Sequence, residues 1–383
     1  MRILHICSSS SFNGETAHVY SLVRSLQERG HAVTLAYRMR KKGQPVEVHP
    51  RLIREYNIQS VFPLPMDKGL SPLENWRGLK ELARFIRREN VEIVHCHRAV
   101  DHSLAGLLSA FQPAWREKNV PLVRTRHVTT PVKGGQANRW LYERADLLLA
   151  TASCIQSELL ERFPSLKPPV KVFHGGVDTQ RFSPATPPAG LRKELGLSDN
   201  SLLVGSIGHL DPVKGYKNAI DVLSELPESL PEVHLVICGK EGTQNFQELK
   251  QHAQNRSVAA KVHLLGFRRD IDRVMTDLDV GLITSVGSEG NSRTALELMA
   301  SGRPVVSTTA GCLPDLIEPG VQGCLAKPNQ VKELADFLSR LLADENLRRR
   351  MGESARRRAV EHYDERGVAA ELESLYEDLL SRK

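Results

Sequence analysis

The sequence predicts an α/β fold with two doubly wound parallel sheets, each covered by helices. Two observations lead to this prediction. Short apolar runs typical of buried strands alternate with amphipathic helical segments through most of the 383 residues. The same alternation begins again after a Gly- and Pro-rich break near the middle of the chain. Repeated strand–helix–strand order favours parallel strands joined by right-handed crossovers, because helices must cover the faces of a parallel sheet.

The elements of the first half follow from apolar periodicity. In the first helix, apolar residues recur three or four positions apart from Val19 to Leu26, the pattern of a helix that packs on a core. Helices are predicted at His18–Gln27, Leu79–Arg88 and Ile155–Phe163. Strands are predicted at Arg2–Cys7, His31–Tyr37, Val91–His95, Leu122–Thr125 and Leu147–Ala152.

The second half repeats this order. Its strands are predicted at Leu202–Ile207, Val233–Cys238, Val262–Leu265, Val280–Thr284 and Val305–Thr308, with helices between them. The charged segment Ala355–Lys383 is predicted to be one long helical run.

The break between the halves divides the chain into two domains. It lies at Val172–Pro184 and continues through the Pro-rich Ala185–Gly190, and Gly and Pro at this density are typical of a linker. We therefore expect an N-terminal domain over residues 1–178 and a C-terminal domain over 179–362. A C-terminal helix at about 363–383 is expected to pack back onto the N-terminal domain.

The composition is that of a soluble globular protein, with 40% hydrophobic and 25% charged residues. No window of 18 apolar residues predicts a transmembrane helix, and the N-terminus lacks the features of a signal peptide. The six cysteines are scattered, without a Cys-x-x-Cys pair, which favours a reducing compartment. We therefore expect a cytoplasmic protein.

The charge balance bears on the partners. A net charge of +7 fits attraction to an anion, either a phosphate-bearing substrate or an acidic membrane surface. Nucleic-acid binding is not expected, because no helix-turn-helix, zinc-finger or aromatic RNA-binding motif is present. His95 and His97 end a predicted strand, but no third ligand with suitable spacing is apparent, so no metal site is predicted.

The stretch from Ser288 to Ser307 is the most informative part of the chain. It places Glu289 in a Gly-containing loop and Glu297 on the helix that follows, with a predicted strand on either side. The backbone amides of Gly290, Asn291 and Ser292 would then lie at a helix N-terminus beyond the carboxyl end of a parallel strand, where open α/β sheets bind nucleotides. Two exposed acids on an ordinary amphipathic helix are the alternative.

Three further features accompany this element. Phe12–Thr16, with Gly14, lies between the first strand and the first helix; His174–Pro184 reads His-Gly-Gly-Val-Asp-Thr-Gln-Arg-Phe-Ser-Pro; and Gly208–Gly215 contains Gly-x-Leu-x-x-x-Lys-Gly. With the two glutamates eight positions apart, the chain resembles the family-four retaining glycosyltransferases over essentially its whole length. The resemblance implies the GT-B architecture, two Rossmann-like domains facing across a cleft.

The resemblance implies that the C-terminal domain holds a nucleotide-sugar donor. Lys214 stands where the family has its basic diphosphate-binding residue, and it would replace the divalent metal of other transferases. His209 stands where the family usually has Arg, and an imidazole supplies a positive charge only when protonated. If His209 contacts the diphosphate, donor affinity should therefore fall as the pH rises through neutrality.

Further roles come from positions in the motifs. By the resemblance, Glu297 accepts hydrogen bonds from the ribose, and Glu289 lies near the hydroxyls of the donor sugar. The amides of Gly290, Asn291 and Ser292 would lie beside the phosphate and the sugar. Gly14 would let the donor approach the backbone, although the family more often has Gly-Gly-Ala-Glu in this loop.

The N-terminal domain would bind the acceptor. His127 follows a predicted strand and falls where the family has a His near the donor sugar, so the resemblance implies a hydrogen bond to the transferring sugar. A His packed at a strand end is the alternative. Charge alone suggests Arg124, Arg126 and Lys133 for an anionic acceptor, such as a phosphorylated lipid or a core oligosaccharide.

The resemblance thus implies retaining transfer of a sugar from a UDP-, GDP- or ADP-sugar to a hydroxyl, without cofactor or metal. His127, Glu289 and Lys214 are the predicted catalytic residues. The predicted acceptor is a glycan, lipid-linked or of the lipopolysaccharide type, at the inner face of a bacterial plasma membrane. A nucleotide-sugar epimerase on the same architecture and a non-catalytic nucleotide-sugar-binding protein are the alternatives. A dehydrogenase is disfavoured, since no Gly-x-Gly-x-x-Gly follows a strand.

Overall fold

The computed structural model describes residues 1–41, 44–65, 72–112, 115, 119–287 and 289–382. Ser288, which opens the predicted Glu289 loop, lies outside the described residues. The chain forms two compact units, one of Met1–Gly176 with Glu365–Lys383 and one of Val177–Asp364.

The first unit contains a seven-stranded parallel sheet in the order β5-β2-β1-β6-β7-β8-β9, and β3 and β4 form a separate antiparallel pair. The strands are β1 Arg2–Cys7, β2 Ala32–Arg38, β3 Arg40–Lys41, β4 Gln44–Pro45, β5 Val61–Leu64, β6 Ile93–Cys96, β7 Leu122–Arg126, β8 Leu147–Ala150 and β9 Val170–Val172. The helices before the second unit are α1 Gly14–Glu28, α2 Val48–Glu55, α3 Pro72–Arg88, α4 Ala99–Phe111, α5 Gln136–Tyr142 and α6 Ser153–Arg162.

Alternation along β1 builds a core on each face of this sheet. Ile3 and Cys7 belong to an apolar cluster that contains residues of α1 and of the C-terminal helix Glu365–Ser381. Leu4 and Ile6 belong to a second cluster, which contains residues of α3 and α4. Successive side chains of a strand point to opposite faces, so a strand with apolar residues on both faces supplies both cores.

The second unit contains a six-stranded parallel sheet in the order β12-β11-β10-β13-β14-β15. The strands are β10 Leu202–Ile207, β11 Val233–Cys238, β12 Val262–Gly266, β13 Val280–Ile283, β14 Val305–Thr308 and β15 Gly323–Ala326. Its α-helices are α7 Leu191–Glu194, α8 Tyr216–Ser224, α9 Phe246–Asn255, α10 Ile271–Asp277, α11 Arg293–Ala300, α12 Leu313–Leu316, α13 Val331–Ala343 and α14 Glu345–Tyr363, and the C-terminal helix of the first unit is α15.

Both sheets share one topological property that matters for binding. The strand order reverses between β1 and β6 in the first unit and between β10 and β13 in the second. Connections leave in opposite directions at such a point, which opens a crevice beyond the carboxyl ends of the two strands. The loops after β1, β6, β10 and β13 are therefore the places where each unit can take a ligand.

The predicted fold class is confirmed, and Arg2–Cys7, Leu202–Ile207, Val233–Cys238 and Val305–Thr308 form strands with the predicted bounds. The short edge strands β5, β9 and β15 were not predicted.

The prediction of one C-terminal helical run from Ala355 was wrong. The chain leaves the helical conformation at Asp364, whose φ of −60° and ψ of 130° are extended. There the amide of Val177 donates to the carbonyl oxygen of Tyr363 at 2.8 Å, and Thr179 donates its hydroxyl proton to the Asp364 carboxylate. Across the described ranges, no helix has the length and hydropathy needed to span a bilayer.

We predict that Gly239→Ala destabilises the protein by about 1–3 kcal/mol, the usual cost of overpacking. A Cβ at Gly239 would lie 1.7 Å from the carbonyl oxygen of Gly208, so backbone must move. Urea unfolding followed by circular dichroism measures the change. Gly367→Ala in α15 is the matched control, because a Cβ at this position would meet no atom within 4 Å. We expect it to raise the free energy of unfolding by about 0.5–1 kcal/mol, since Ala is favoured over Gly in a helix. Equal stability of the two variants would contradict the packing argument.

Candidate functional site

The candidate site of the second unit is formed by the loops that follow β10 and β13. Lys214 ends a short 3₁₀ turn, Pro212–Lys214, after β10, and Glu289 lies in the loop after β13. Hydrogen bonds join the two loops, since the amide of Val286 donates to the Val213 carbonyl oxygen at 2.8 Å. The strand reversal therefore brings together two motifs that are 75 residues apart in sequence.

Lys214 and Glu289 form the ion pair at this place. Lys214 Nζ lies 2.5 Å from Glu289 Oε1, and the hydroxyl of Ser285 donates to the same oxygen at 2.6 Å. The Glu289 side chain is 3% exposed, whereas that of Lys214 is 32% exposed. A buried carboxylate thus holds an ammonium group that still reaches solvent, so the remaining N–H donors of Lys214 are available to an anion.

The loop after β14 fixes the backbone of Glu289. The amide of Cys312 donates to the Glu289 carbonyl oxygen at 2.7 Å. Gly311 has a φ of +58°, and a Cβ there would lie 2.1 Å from that oxygen, so a residue with a side chain would displace the loop. Neither Ser285 nor Gly311 was predicted to contact Glu289. The position of Gly311 shortly after the predicted strand Val305–Thr308 was the one signal in the sequence that could have indicated its role.

Helix α11 carries the second glutamate. Arg293 donates from Nε and Nη2 to Glu297 Oε1 at 3.2 and 3.0 Å. The amide of Ser292 donates to Cys312 Sγ at 3.1 Å, and thiol sulfur is a weak acceptor. Asn291 Nδ2 is buried and has no hydrogen-bond partner among the described residues. The start of α11 thus offers donors whose present partners are weak or lacking.

His209 occupies the exposed end of the loop after β10. Its Nδ1 lies 2.8 Å from the carbonyl oxygen of Lys240, which can only accept, so Nδ1 carries a proton. Nearby, the Thr243 hydroxyl donates to Asp211 at 2.6 Å and lowers the pKa of that carboxyl. Asp211 therefore adds a negative charge to the same loop.

Gly14 is the first residue of α1, at the reversal point of the first sheet. Asn13 caps the helix by accepting from the amide of Thr16 at 2.9 Å. Beside it, burial raises the pKa of Glu15, whose carboxylate lies 3.6 Å from the guanidinium of Arg98. Sequence reasoning missed this pair, because Arg98 follows β6 and meets Glu15 only through the parallel register of β1 and β6.

His127 follows β7 in the same unit and is buried, with 6% of its surface exposed. Its Nε2 lies 3.1 Å from His97 Nδ1, whereas its buried Nδ1 has no hydrogen-bond partner in the described ranges. Burial, and then the charges of His18, Arg124 and Arg98, lower the pKa of His127 well below its usual range. The imidazole is therefore neutral at physiological pH.

The three basic residues suggested for the acceptor differ in exposure. Arg124 is buried and donates to the Cys96 carbonyl oxygen at 3.5 Å. Arg126 is also buried and donates to the carbonyl oxygen of Thr130 and to Glu158. Lys133 is exposed to solvent, so it is the one of the three that reaches a solute without rearrangement.

A third histidine lies beside the pair that ends β6. His5 of β1 pairs with His95 in the parallel ladder, and the nearest ring nitrogens of His5, His95 and His97 lie within 4.8 Å of one another. The expectation that His95 and His97 lack a third partner was therefore wrong, because the partner comes from another strand. Each of the three rings nevertheless has a hydrogen-bond partner at both nitrogens.

Comparison with known proteins identifies the family. Residues 12–181 match the family model described as "Glycosyltransferase Family 4", and residues 190–358 match "Glycosyl transferases group 1". The chain belongs to the family-4 type of GT-B glycosyltransferases. The predicted family and the predicted enzyme class are thereby confirmed.

Curated relatives of this glycosyltransferase extend over nearly its whole length. It is 27% identical to a D-inositol 3-phosphate glycosyltransferase of Corynebacterium jeikeium, covering 96% of this chain and 92% of the relative. It is 25% identical to an N-acetyl-alpha-D-glucosaminyl L-malate synthase of Bacillus anthracis, covering 94% and 92%.

A solved structure shares the fold of the glycosyltransferase. The Anabaena protein HepE, crystallised with UDP and glucose, matches with a TM-score of 0.80 and 22% identity, covering 99% of this chain and all of HepE. At this identity the similarity establishes the two-domain GT-B fold.

We predict that Lys214→Met lowers the free energy of unfolding by about 1–3 kcal/mol, because it leaves the buried Glu289 carboxylate with one fewer donor. The double variant Lys214→Met/Glu289→Gln should recover at least half of this loss, since no buried charge then remains unpaired. Thermal and urea unfolding of the unliganded protein measure both. Lys217→Met, at an exposed lysine of α8, is the control and should not change stability. A Lys214→Met variant as stable as this control would contradict the proposed dependence of Glu289 on Lys214.

Proposed function

We propose that this glycosyltransferase moves a sugar from a nucleotide-sugar donor to a hydroxyl acceptor with retention at the anomeric carbon, without a metal ion. The observation that carries the proposal is the part-exposed Lys214 ammonium, held by a buried carboxylate beyond the carboxyl ends of β10 and β13. A fixed cation at this point of an open α/β sheet suits the diphosphate of a nucleotide. Each charge-assisted hydrogen bond to phosphate contributes roughly 1.5–3 kcal/mol.

The reaction breaks the bond between the anomeric carbon and the diphosphate oxygen and forms a bond from that carbon to the acceptor oxygen. Negative charge grows on the diphosphate as it departs, and Lys214 offsets this charge, as a divalent metal does in other transferases. The departing diphosphate oxygen takes the proton of the acceptor hydroxyl on the same face of the sugar, which gives retention. The protein needs no nucleophile for this step, only orientation and charge.

The other residues of the second unit orient the donor in this proposal. Glu297 accepts from the ribose hydroxyls, and Glu289 lies near the donor sugar while it holds Lys214. The amides of Gly290, Asn291 and Ser292 lie beside the phosphates; a phosphate oxygen is a stronger acceptor than the thiol sulfur that Ser292 now uses. His209 adds a charge to the diphosphate in its protonated form.

In this proposal the first unit contacts the donor, including its transferring sugar, as well as the acceptor. His127 forms a hydrogen bond with a hydroxyl of the transferring sugar, and Gly14 permits close approach of the donor to the start of α1. Lys133 is the exposed cation suited to an anionic acceptor. The curated relatives include proteins named for inositol 3-phosphate and for malate, which both carry negative charge.

The donor and the biological acceptor are narrower proposals. HepE was crystallised with UDP and with UDP-glucose, which makes a UDP-sugar the first donor to test, before GDP- and ADP-sugars. A lipid-linked or lipopolysaccharide-type glycan is the proposed acceptor, and one solved structure of similar fold is a lipopolysaccharide outer core galactosyltransferase. Such an acceptor would place the protein in the cytoplasm, peripherally at the inner membrane surface.

Release of nucleoside diphosphate from a panel of UDP-, GDP- and ADP-sugars tests the proposed function. In long incubations without acceptor, we expect the wild-type protein to cleave one donor. Lys214→Ala should lower the rate at least about tenfold, the effect of 1.4 kcal/mol of lost charge stabilisation. Lys217→Ala controls for the loss of a surface lysine and should keep the wild-type rate. A donor that is isomerised rather than cleaved, or a protein that binds none of them, would contradict the proposal.

We also predict that the two glutamates affect different kinetic constants. Glu297→Ala should weaken nucleotide binding by about tenfold, the value of one or two hydrogen bonds to the ribose, whereas Glu289→Ala should mainly lower kcat. Calorimetric binding of the nucleoside diphosphate and steady-state kinetics separate the two effects. Glu333→Ala, at an exposed position of α13, should change neither. If both site variants only lowered the melting temperature, these roles would be wrong.

A further inference from the structure

A continuous chain of hydrogen bonds runs from the hydroxyl of Tyr376 through two buried histidines of the first unit to His127. The hydroxyl of Tyr376 lies 3.3 Å from His5 Nε2, and His5 Nδ1 lies 2.9 Å from His97 Nε2. His97 Nδ1 in turn lies 3.1 Å from His127 Nε2. Tyr376, His5 and His97 are fully buried, so water does not offer them alternative hydrogen-bond partners.

A branch of the chain leads from the same hydroxyl to β7. Tyr376 lies 2.6 Å from His95 Nδ1, and His95 Nε2 lies 2.7 Å from the hydroxyl of Thr125. The single hydroxyl of Tyr376 therefore lies within hydrogen-bond distance of two imidazoles. It has one proton to donate, so it donates to one ring and accepts from the other.

Neutral imidazoles in such a chain cannot choose their tautomers independently. Each ring has one N–H and one lone pair, and each link needs one of each. Because every link joins an Nδ1 to an Nε2, His5, His97 and His127 must all carry the proton on Nε2 or all carry it on Nδ1. The sharing of Tyr376 places His95 in the same state as His5. Any mixed arrangement would leave a buried donor facing a donor, or two lone pairs facing each other.

The two distances at Tyr376 favour one of the two states. Hydrogen bonds donated by a hydroxyl are typically shorter than those donated by N–H. The 2.6 Å contact fits donation from Tyr376 to His95 Nδ1, and the 3.3 Å contact fits donation from His5 Nε2 to Tyr376. His95 Nε2 then donates to the Thr125 hydroxyl at 2.7 Å. All four imidazoles then carry Nε2–H, and His127 Nδ1 bears a lone pair.

Burial keeps the chain neutral. It lowers the pKa of His5 to about 3 and that of His95 and His97 well below the usual range, and it raises the pKa of Tyr376. The charged and titratable groups that act on His127 from neighbouring elements are His18 of α1, Arg98 before α4 and Arg124 of β7. A positive charge on any of them disfavours a positive charge on His127.

We propose that Tyr376, His5 and His97 are positioning residues that fix His127 as the Nε2–H tautomer, so that Nδ1 accepts a hydrogen bond from a substrate hydroxyl. This inference rests on the proposed function, in which His127 contacts the transferring sugar. The buried Nδ1 has no partner in the part of the chain that the structure describes, so a hydroxyl of the substrate would satisfy it. An Nδ1–H tautomer would instead require an acceptor at that place.

The tautomers can be read directly in the wild-type protein. Long-range ¹H–¹⁵N correlation spectra of ¹⁵N-histidine protein at pH 7 distinguish protonated from unprotonated ring nitrogens, and single His→Gln variants assign the signals. We expect His5, His95, His97 and His127 to share the Nε2–H form. Mixed tautomers, a shared Nδ1–H form or an imidazolium among them would overturn the inference. So would a stoichiometric metal ion in the purified protein, because a metal ligand cannot also share its lone pair with a neighbouring ring.

Tyr376→Phe tests the coupling at a distance. Without the hydroxyl, His127 should show both tautomers, and kcat should fall about five- to tenfold while the KM for the donor stays within about twofold. Tyr20→Phe is the matched control, since Tyr20 is equally buried in the same cluster and bonds to His49 at 2.8 Å, outside the chain. It should leave the His127 spectrum and kcat unchanged.

The outcomes separate this inference from the proposed function. An unchanged His127 tautomer in Tyr376→Phe overturns the inference, even if the melting temperature falls. A mixed tautomer with unchanged kcat, together with an active His127→Ala variant, would show that the chain sets the tautomer but that the role of His127 in the proposed function is wrong.

Discussion

Lys214 and Glu289 join the loops that follow β10 and β13, and the arrangement of the candidate site in the second unit depends on this ion pair. The carboxylate is almost completely buried, so it needs a cation and a hydrogen-bond donor, which Lys214 and Ser285 supply. The ammonium group is only partly buried and keeps donors for a ligand. The loop after β14, which holds the Glu289 backbone, therefore stabilises a cation at the point where the strand order reverses.

The two units have the same strand order around their first strand but different chemistry beyond it. The second unit presents a fixed positive charge, which suits a diphosphate that gains negative charge as it departs. The first unit presents a neutral imidazole, His127, held by a buried chain of uncharged rings. A neutral acceptor suits a sugar hydroxyl, because it orients the group without adding charge. Each unit thus provides the electrostatic environment that its proposed part of the substrate requires.

The sequence predicted the fold class from local patterns, and it proposed the candidate site residues from motifs that resemble those of the family. Strand-length apolar runs, the Glu289–Glu297 spacing and the turn before Lys214 can be read within a few residues. The contacts that hold these residues could not be read, since they depend on register between distant strands. His5 meets His95 through pairing of β1 with β6, and Tyr376 comes from the other end of the chain. Likewise, Ser285 and Gly311 acquire their roles only when β13 and β14 place them beside Glu289.

The most direct test of this account is a crystal structure of the protein with a nucleoside diphosphate bound. The account predicts that Lys214 Nζ lies about 2.7–3.2 Å from an oxygen of the terminal phosphate. Glu289 should still accept from Ser285, beyond the carboxyl ends of β10 and β13. A diphosphate bound elsewhere, or one bound there while Lys214 contacts only Glu289, would contradict the central claim that this ion pair prepares the cation for the leaving group.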